Sequence, residues 1–160
     1  MDSTPGTPRA TGTPRPLELI PSLVILGAAR AIEFYTRALD AKVINCFADP
    51  KLGGHIVHAE LAIGEARFYL SEEARDWHNH APPSLGGSPV ILHLEVLDAD
   101  AVAARMEAAG ATVVYPVRDQ FYGERSGRLR DPFGHVWLIS QRLKEMSAAE
   151  IQAGIDAYEG

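Results

Sequence analysis

The apolar positions of this chain switch repeatedly between strand-like and helical periods, and each switch marks an element. LELIPSLVIL (17–26) is nearly all apolar and reads as a strand. Pro21 has no N–H to give, which puts it at an edge or a bulge. AARAIEFYTRAL (28–39) then sets Ala28, Ile32, Tyr35 and Leu39 on one helical face. AKVINCFAD (41–49) is a second strand, while HIVHAELAI (55–63) and ARFYLSEE (66–73) flank Gly64-Glu65, the two-residue signal of a tight hairpin. A stretch with Pro82, Pro83, Gly86 and Gly87 (74–88) reads as a linker that opens on a turn of helix.

After the linker the pattern starts again. VILHLEVLD (90–98) is a strand, ADAVAARMEAAG (99–110) a helix stopped by its glycine, and ATVVYPV (111–117) a strand. GRLRD (127–131) and HVWLIS (135–140) are two more, joined by the turn Asp131-Pro132-Phe133-Gly134. SAAEIQAGIDAYEG (147–160) is a terminal helix capped by Ser147. The order strand-helix-strand-strand-strand thus occurs twice, at 17–73 and 89–141, with a final helix over 147–158. One helix covers one face of each sheet, so the other face needs a partner. The expected fold is α+β: two β-α-β-β-β modules forming a curved, mixed eight-stranded surface with a cleft between the halves. Residues 1–16, rich in Pro, Thr and Gly, are expected to be a disordered tail.

Composition narrows the partners. A net charge of −6 without any run of Lys or Arg gives no electrostatic footprint for nucleic acid or anionic lipid, and would suit a cationic ligand. No apolar stretch is long enough to span a membrane, and the N-terminus has no hydrophobic export signal. A single cysteine, Cys46, fits a cytoplasmic protein and is expected to be a buried filler.

AIEFYTRALDAKV (31–43) in the first half and GRLRDPFGHVWLIS (127–140) in the second resemble the vicinal oxygen chelate superfamily, the group of glyoxalases, bleomycin-resistance proteins and extradiol dioxygenases. FYGERSGRLRDPFGH (121–135) is similar to its PhnB-like branch. The resemblance covers about residues 19–158 and implies fold far more than reaction. Metal-dependent members hold a divalent ion with His or Gln, Glu, His and Glu at four positions that fall here on Ile20, Tyr69, Ile91 and Leu138. Aliphatic side chains offer no lone pair, so the usual metal site is expected to be absent. The resemblance also implies a homodimer.

Strand alternation fills the rest of the cleft face. It places Ser22 and Val24 on the first strand, His58 and Glu60 on the third, and Arg67 and Tyr69 on the fourth. Ile91, His93 and Glu95 follow on the fifth and Leu138 on the eighth. Tyr122, in a long loop expected before the seventh strand, and Trp77, a candidate cap for the cleft, complete the ligand-binding set. Loop pairs Arg125–Asp131 and Arg130–Glu124 are the structural alternative for that loop, as a Glu60–Arg67 ion pair is for the third and fourth strands. A pocket of apolar walls with a few polar groups suits a small molecule. The first functional expectation is a binding protein of drug-sequestering or resistance type. The second is a lyase, isomerase or dioxygenase-type enzyme using His93, Glu95 or Glu60, with a relocated divalent metal as its variant. His135 is expected to hydrogen-bond the turn backbone.

The tail composition carries its own test. Ordering a residue costs roughly 1–2 kcal/mol, which Pro, Thr and Gly cannot offset by burial. A chain starting at Leu17 should melt within about two degrees of the full chain. A larger loss in a thermal melt would mean that residues 1–16 pack on the body.

Overall fold

A computed structural model describes residues 17–157 of the chain; the expected tail, 1–16, lies outside the described residues, as does residue 158, the last of the expected terminal helix. The first module runs β1 (Ser22–Ile25), α1 (Ala28–Leu39), β2 (Lys42–Asp49), β3 (His55–Ile63) and β4 (Ala66–Glu72). A linker follows, opening on a tight helical turn at Arg75–Trp77, as expected, and carrying a second turn, α2 (Pro82–Leu85). The second module is β5 (Ile91–Glu95), α3 (Ala99–Ala108), β6 (Thr112–Asp119), β7 (Glu124–Arg130) and β8 (Val136–Arg142), and α4 (Ala148–Asp156) ends the chain. Each module forms a four-stranded mixed sheet, in the orders β1-β4-β3-β2 and β5-β8-β7-β6. In each, the first strand runs parallel to the last and all other pairs are antiparallel.

The local devices are those expected. Gly64, at φ 58, turns a hairpin that pairs Ile63 with Ala66 and Glu60 with Tyr69. Ser147 forms a capping box with Glu150. The N-terminus of α1 is held by Glu72 of β4, whose carboxylate accepts from the backbone of Gly27 (2.6 Å) and Ala28 (2.8 Å). That places a negative charge at the positive end of the helix.

The eight strands divide into two four-stranded sheets that meet through a shared core. Leu61, Phe68 and Leu70 on the first sheet, and Leu129, Trp137 and Ile139 on the second, are buried on the faces that carry the helices. Phe68 and Trp137 have ring centroids only 6.1 Å apart, and Tyr35 of α1 lies 5.3 Å from the first and 5.6 Å from the second. Two sheets can touch this way only through their helix-bearing faces. Arg105 of α3 also donates to the Ala38 carbonyl of α1 (3.3 Å) and to Asp40 (3.1 Å). One core therefore serves both modules. The opposite faces of the two four-stranded sheets stay uncovered.

Asp131, 3% exposed, ties these parts together. Its Oδ1 accepts from the backbone of Phe133 (2.9 Å) and His135 (3.0 Å), which shapes the turn. Its Oδ2 accepts from the Tyr35 hydroxyl of the other module (2.7 Å) and from Trp137 Nε1 (3.0 Å). Burial first, and then the Asp131 charge, push the Tyr35 phenol well above its ordinary pKa, so it stays a donor.

Other differences are local. The first strand is shorter than expected, beginning only at Ser22. β7 begins at Glu124, so the expected long loop before it shrinks to a turn near Gly123. The anticipated Arg125–Asp131 pair does not form, because Arg125 binds Asp100 and Asp119 instead and Asp131 is spent on the turn. Cys46 is exposed, not buried. It pairs with Ala59 on the helix-bearing face, but β2 is the outermost strand and its residues there stay uncovered. Val43, on that same face, is 46% exposed.

Two measurements check this description. Tyr35→Phe should cost about 1–3 kcal/mol in urea unfolding, since it removes one donor from a buried carboxylate, and Asp131→Ala should cost more because it strands four donors. A loss within error for Asp131→Ala would remove the residue from its central place. The linker supplies the second check. The Ser84 hydroxyl, the Ala81 N–H and Arg75 hold the Glu73 carboxyl down from 4.5 to about 2. A folded pKa below the unfolded one stabilises the protein above the unfolded value, and this is lost as pH falls through the folded value. Glu73→Gln should therefore flatten the stability profile between about pH 4.5 and 2. An unchanged slope there would count against the clamp.

Candidate functional site

Two uncovered sheet faces carry the chemistry. On the first, β-pairing sets Ser22 beside Tyr69, Tyr69 beside Glu60, and His58 beside Phe47. The His58 ring stacks on Phe47 (6.2 Å, 20°) and meets Tyr69 edge-on at 4.8 Å. A small aromatic wall results. Glu60 accepts from Arg67 (2.8 Å) and from the Asn45 amide (3.2 Å). Asn45 first, and Arg67 with it, hold the Glu60 carboxyl below the usual carboxylate range, which makes it a poorer proton acceptor. Arg67 also binds Glu18, and Glu18 first, then Glu60, raise its pKa. Internal pairing thus accounts for both charges.

On the second face β8 is the axis. Leu138 lies between His93 of β5 and Arg128 of β7, Val136 between Ile91 and Arg130, and Ser140 between Glu95 and Ser126. His93 Nε2 hydrogen-bonds Ser140 Oγ at 2.8 Å, whereas Glu95 is bound by Arg142 at 3.2 Å. The two residues share a face but not a hydrogen bond. Ser126 and Ser140 are nearly fully buried, and the Tyr122 hydroxyl lies 3.3 Å from Ser126 Oγ. Tyr122 therefore belongs to this face, on a turn pinned from outside. Leu143 and Lys144 both donate to the Gly123 carbonyl at 3.0 Å, and at φ 86 Gly123 has no room for a Cβ beside Lys144 O.

The sequence-derived set is thereby divided. Ser22, Val24, His58, Glu60, Arg67 and Tyr69 stand on one face, and Ile91, His93, Glu95, Leu138 and Tyr122 on the other. Val24 is further occupied, since its carbonyl accepts from His135 Nε2 at 3.1 Å. His135 thus bonds the backbone of the other module with its ring, not its own turn. Trp77 is 80% exposed beyond both faces, in the linker. Sequence reasoning missed Asn45 and Phe47 on β2 and Tyr115, Ser126 and Arg128 on β6 and β7. Alternation would have found Arg128 and Ser126 had β7 been started at Glu124. Bulges in β2 and β6 hide the register of the others.

The four positions that the resemblance aligns with metal ligands carry side chains poorly suited to an ion. Ile20, Ile91 and Leu138 have no donor atom, and Tyr69 alone has an oxygen. Among the described residues, no three His, Cys, Asp or Glu side chains come close enough to share one. Among them, too, no helix is long and apolar enough to cross a membrane.

The chain is similar to several other proteins. An uncharacterized protein of Mycobacterium bovis is 40% identical over 142 residues, which span 87% of this chain and 92% of that protein. Protein PA1353 from Pseudomonas aeruginosa shares the fold at a TM-score of 0.64 and 23% identity, over 79% of this chain and 98% of that one. A PhnB protein from Bacillus cereus does so at 0.61 and 18%, over 78% and 99%. The family model of the Glyoxalase/Bleomycin resistance protein/Dioxygenase superfamily matches residues 23–139. With its paired modules, its turn at Asp131 and this match, the chain belongs to that superfamily.

Proposed function

We propose that the protein binds a small organic molecule, without a metal, in a cleft that two copies build together. The first-module sheet of one subunit faces the second-module sheet of the other, and the two-fold relation makes two equal clefts. One observation carries this reading: the back-to-back packing turns both polar-aromatic faces outward. A small-molecule site buries most of its ligand, and neither face alone encloses one. Across such a cleft the aromatic wall of Phe47, His58 and Tyr69 would oppose Ile91, His93 and Leu138.

The role that fits is sequestration of a ligand, of resistance type, in the cytoplasm, where a single free thiol is at home. The state of the three candidate bases supports binding over turnover. His93 is turned to Ser140, Glu95 is engaged by Arg142, and Glu60 is held down by Asn45 and Arg67.

Subunit mixing tests the shared cleft, with neutral N-phenyl-1-naphthylamine as fluorescent probe. Tyr69→Ala and His93→Ala should each weaken binding at least about tenfold. His93 is exposed, so its variant should stay within about 1 kcal/mol of the parent in stability. Co-expressed at equal levels, the two variants should regain about a quarter of the wild-type sites, because half the dimers are mixed and each mixed dimer has one intact cleft. No recovery, or a monomer in sedimentation velocity, would sink the shared cleft. Binding should also survive dialysis against EDTA; loss on chelation, restored by a divalent ion, would overturn the metal-free reading.

A further inference from the structure

The second-module face holds a cation that the protein leaves unanswered. Arg128 points into a cavity of about 210 Å³ lined by Tyr115, Arg118, Tyr122, Ser126 and Leu138, among others. Its guanidinium carbon lies 5.3 Å above the centre of the Tyr115 ring. Its Nε is shielded from solvent and has no hydrogen-bond acceptor. Among the described residues no carboxylate pairs with Arg128, with Arg118 beside it, or with Arg130 two residues along. Three acids of the second module are committed elsewhere: Glu95 to Arg142, and Asp119 and Asp100 to Arg125.

A buried donor without an acceptor costs free energy, and a guanidinium fork costs more than a neutral group. The ring of Tyr115 stabilises the cation in place but accepts none of its N–H bonds. Around it stand two hydroxyls, Tyr122 and Ser126, one donating to the other and the remaining proton open to an oxygen, and the apolar side chain of Leu138. A planar fork beside a hydroxyl donor is matched by an oxyanion presenting two oxygens. The net charge of −6 had suggested a cationic ligand, but charge acts locally, and here the unpaired charges are positive.

We infer that Arg128 is the anchor for the oxyanion of a small ligand with an apolar or aromatic body, the fork binding the anion while Tyr115 and Leu138 bind the body. This deepens the binding reading above and rests on it. The shared chemistry is an oxyanion on a ring-sized body, and a carboxylate or a phosphate would supply it.

The test uses the full-length protein in ¹H–¹⁵N spectra, titrated with benzoate, phenyl phosphate and neutral benzamide. At least one of the two anions should bind about tenfold or more tightly than benzamide, and should shift the Arg128 Nε–Hε cross-peak. Which anion does so identifies the oxyanion. Arg128→Met should abolish the preference while dimerisation and melting temperature hold, and Arg128→Lys, which keeps the charge but loses the fork, should restore only part of it. Equal binding of anions and benzamide, or a preference that survives Arg128→Met, overturns the assignment. So does a weakened dimer in Arg128→Met by sedimentation velocity, which would mean that a partner subunit's carboxylate answers the guanidinium. If none of the three probes binds while N-phenyl-1-naphthylamine still does, the anchor fails and the cleft stands. If that neutral probe fails as well, the cleft reading has failed first.

Discussion

The structure depends on a buried carboxylate that accepts from four neutral donors. Asp131 holds its own turn through two backbone N–H groups, and holds the other module through Tyr35. A charge placed so deep is tolerated only when its lone pairs are filled. Filling them brings α1 onto the second sheet, with Phe133, Trp137 and Phe68 closing around the tyrosine ring. A single polar hub thus sets the relation of the two modules, and the aromatic packing around it gives the hub its dry surroundings.

Everything about the site follows from that relation. Once the helix-bearing faces share a core, the opposite faces of the two sheets stay uncovered. They differ in character. The first is self-satisfied, its Glu60 shared between Asn45 and Arg67 and its rings packed on one another. The second leaves donors open, with Arg128 unanswered over Tyr115. The two faces therefore differ in chemistry despite their common topology.

Much of the local reading was legible because it depends on near neighbours. The Gly64-Glu65 hairpin fixes which residues of β3 and β4 share a face, so His58, Glu60, Arg67 and Tyr69 were placed together correctly. The Glu60–Arg67 pair was visible as the plain alternative to a ligand role, and it forms. Where the ladder is bulged, alternation failed. Phe47 and Tyr115 sit beside register shifts in β2 and β6, and both went unnoticed. Cys46 was misjudged for a different reason: an apolar run tells which residues prefer burial, not whether a helix reaches the outermost strand.

What the sequence by itself determined is the inventory and the faces: two β-α-β-β-β modules, a capped terminal helix and the turn at Asp131. Periodicity, turn chemistry and donor atoms are properties of adjacent residues, so a linear reading recovers them. Tertiary structure alone decided that the modules meet through their helices, that His93 turns to Ser140 and not Glu95, and that Arg128 ends without a partner. Those outcomes are settled by competition among residues far apart in the chain, between 35 and 131 or between 93 and 140, and no local pattern records which competitor wins.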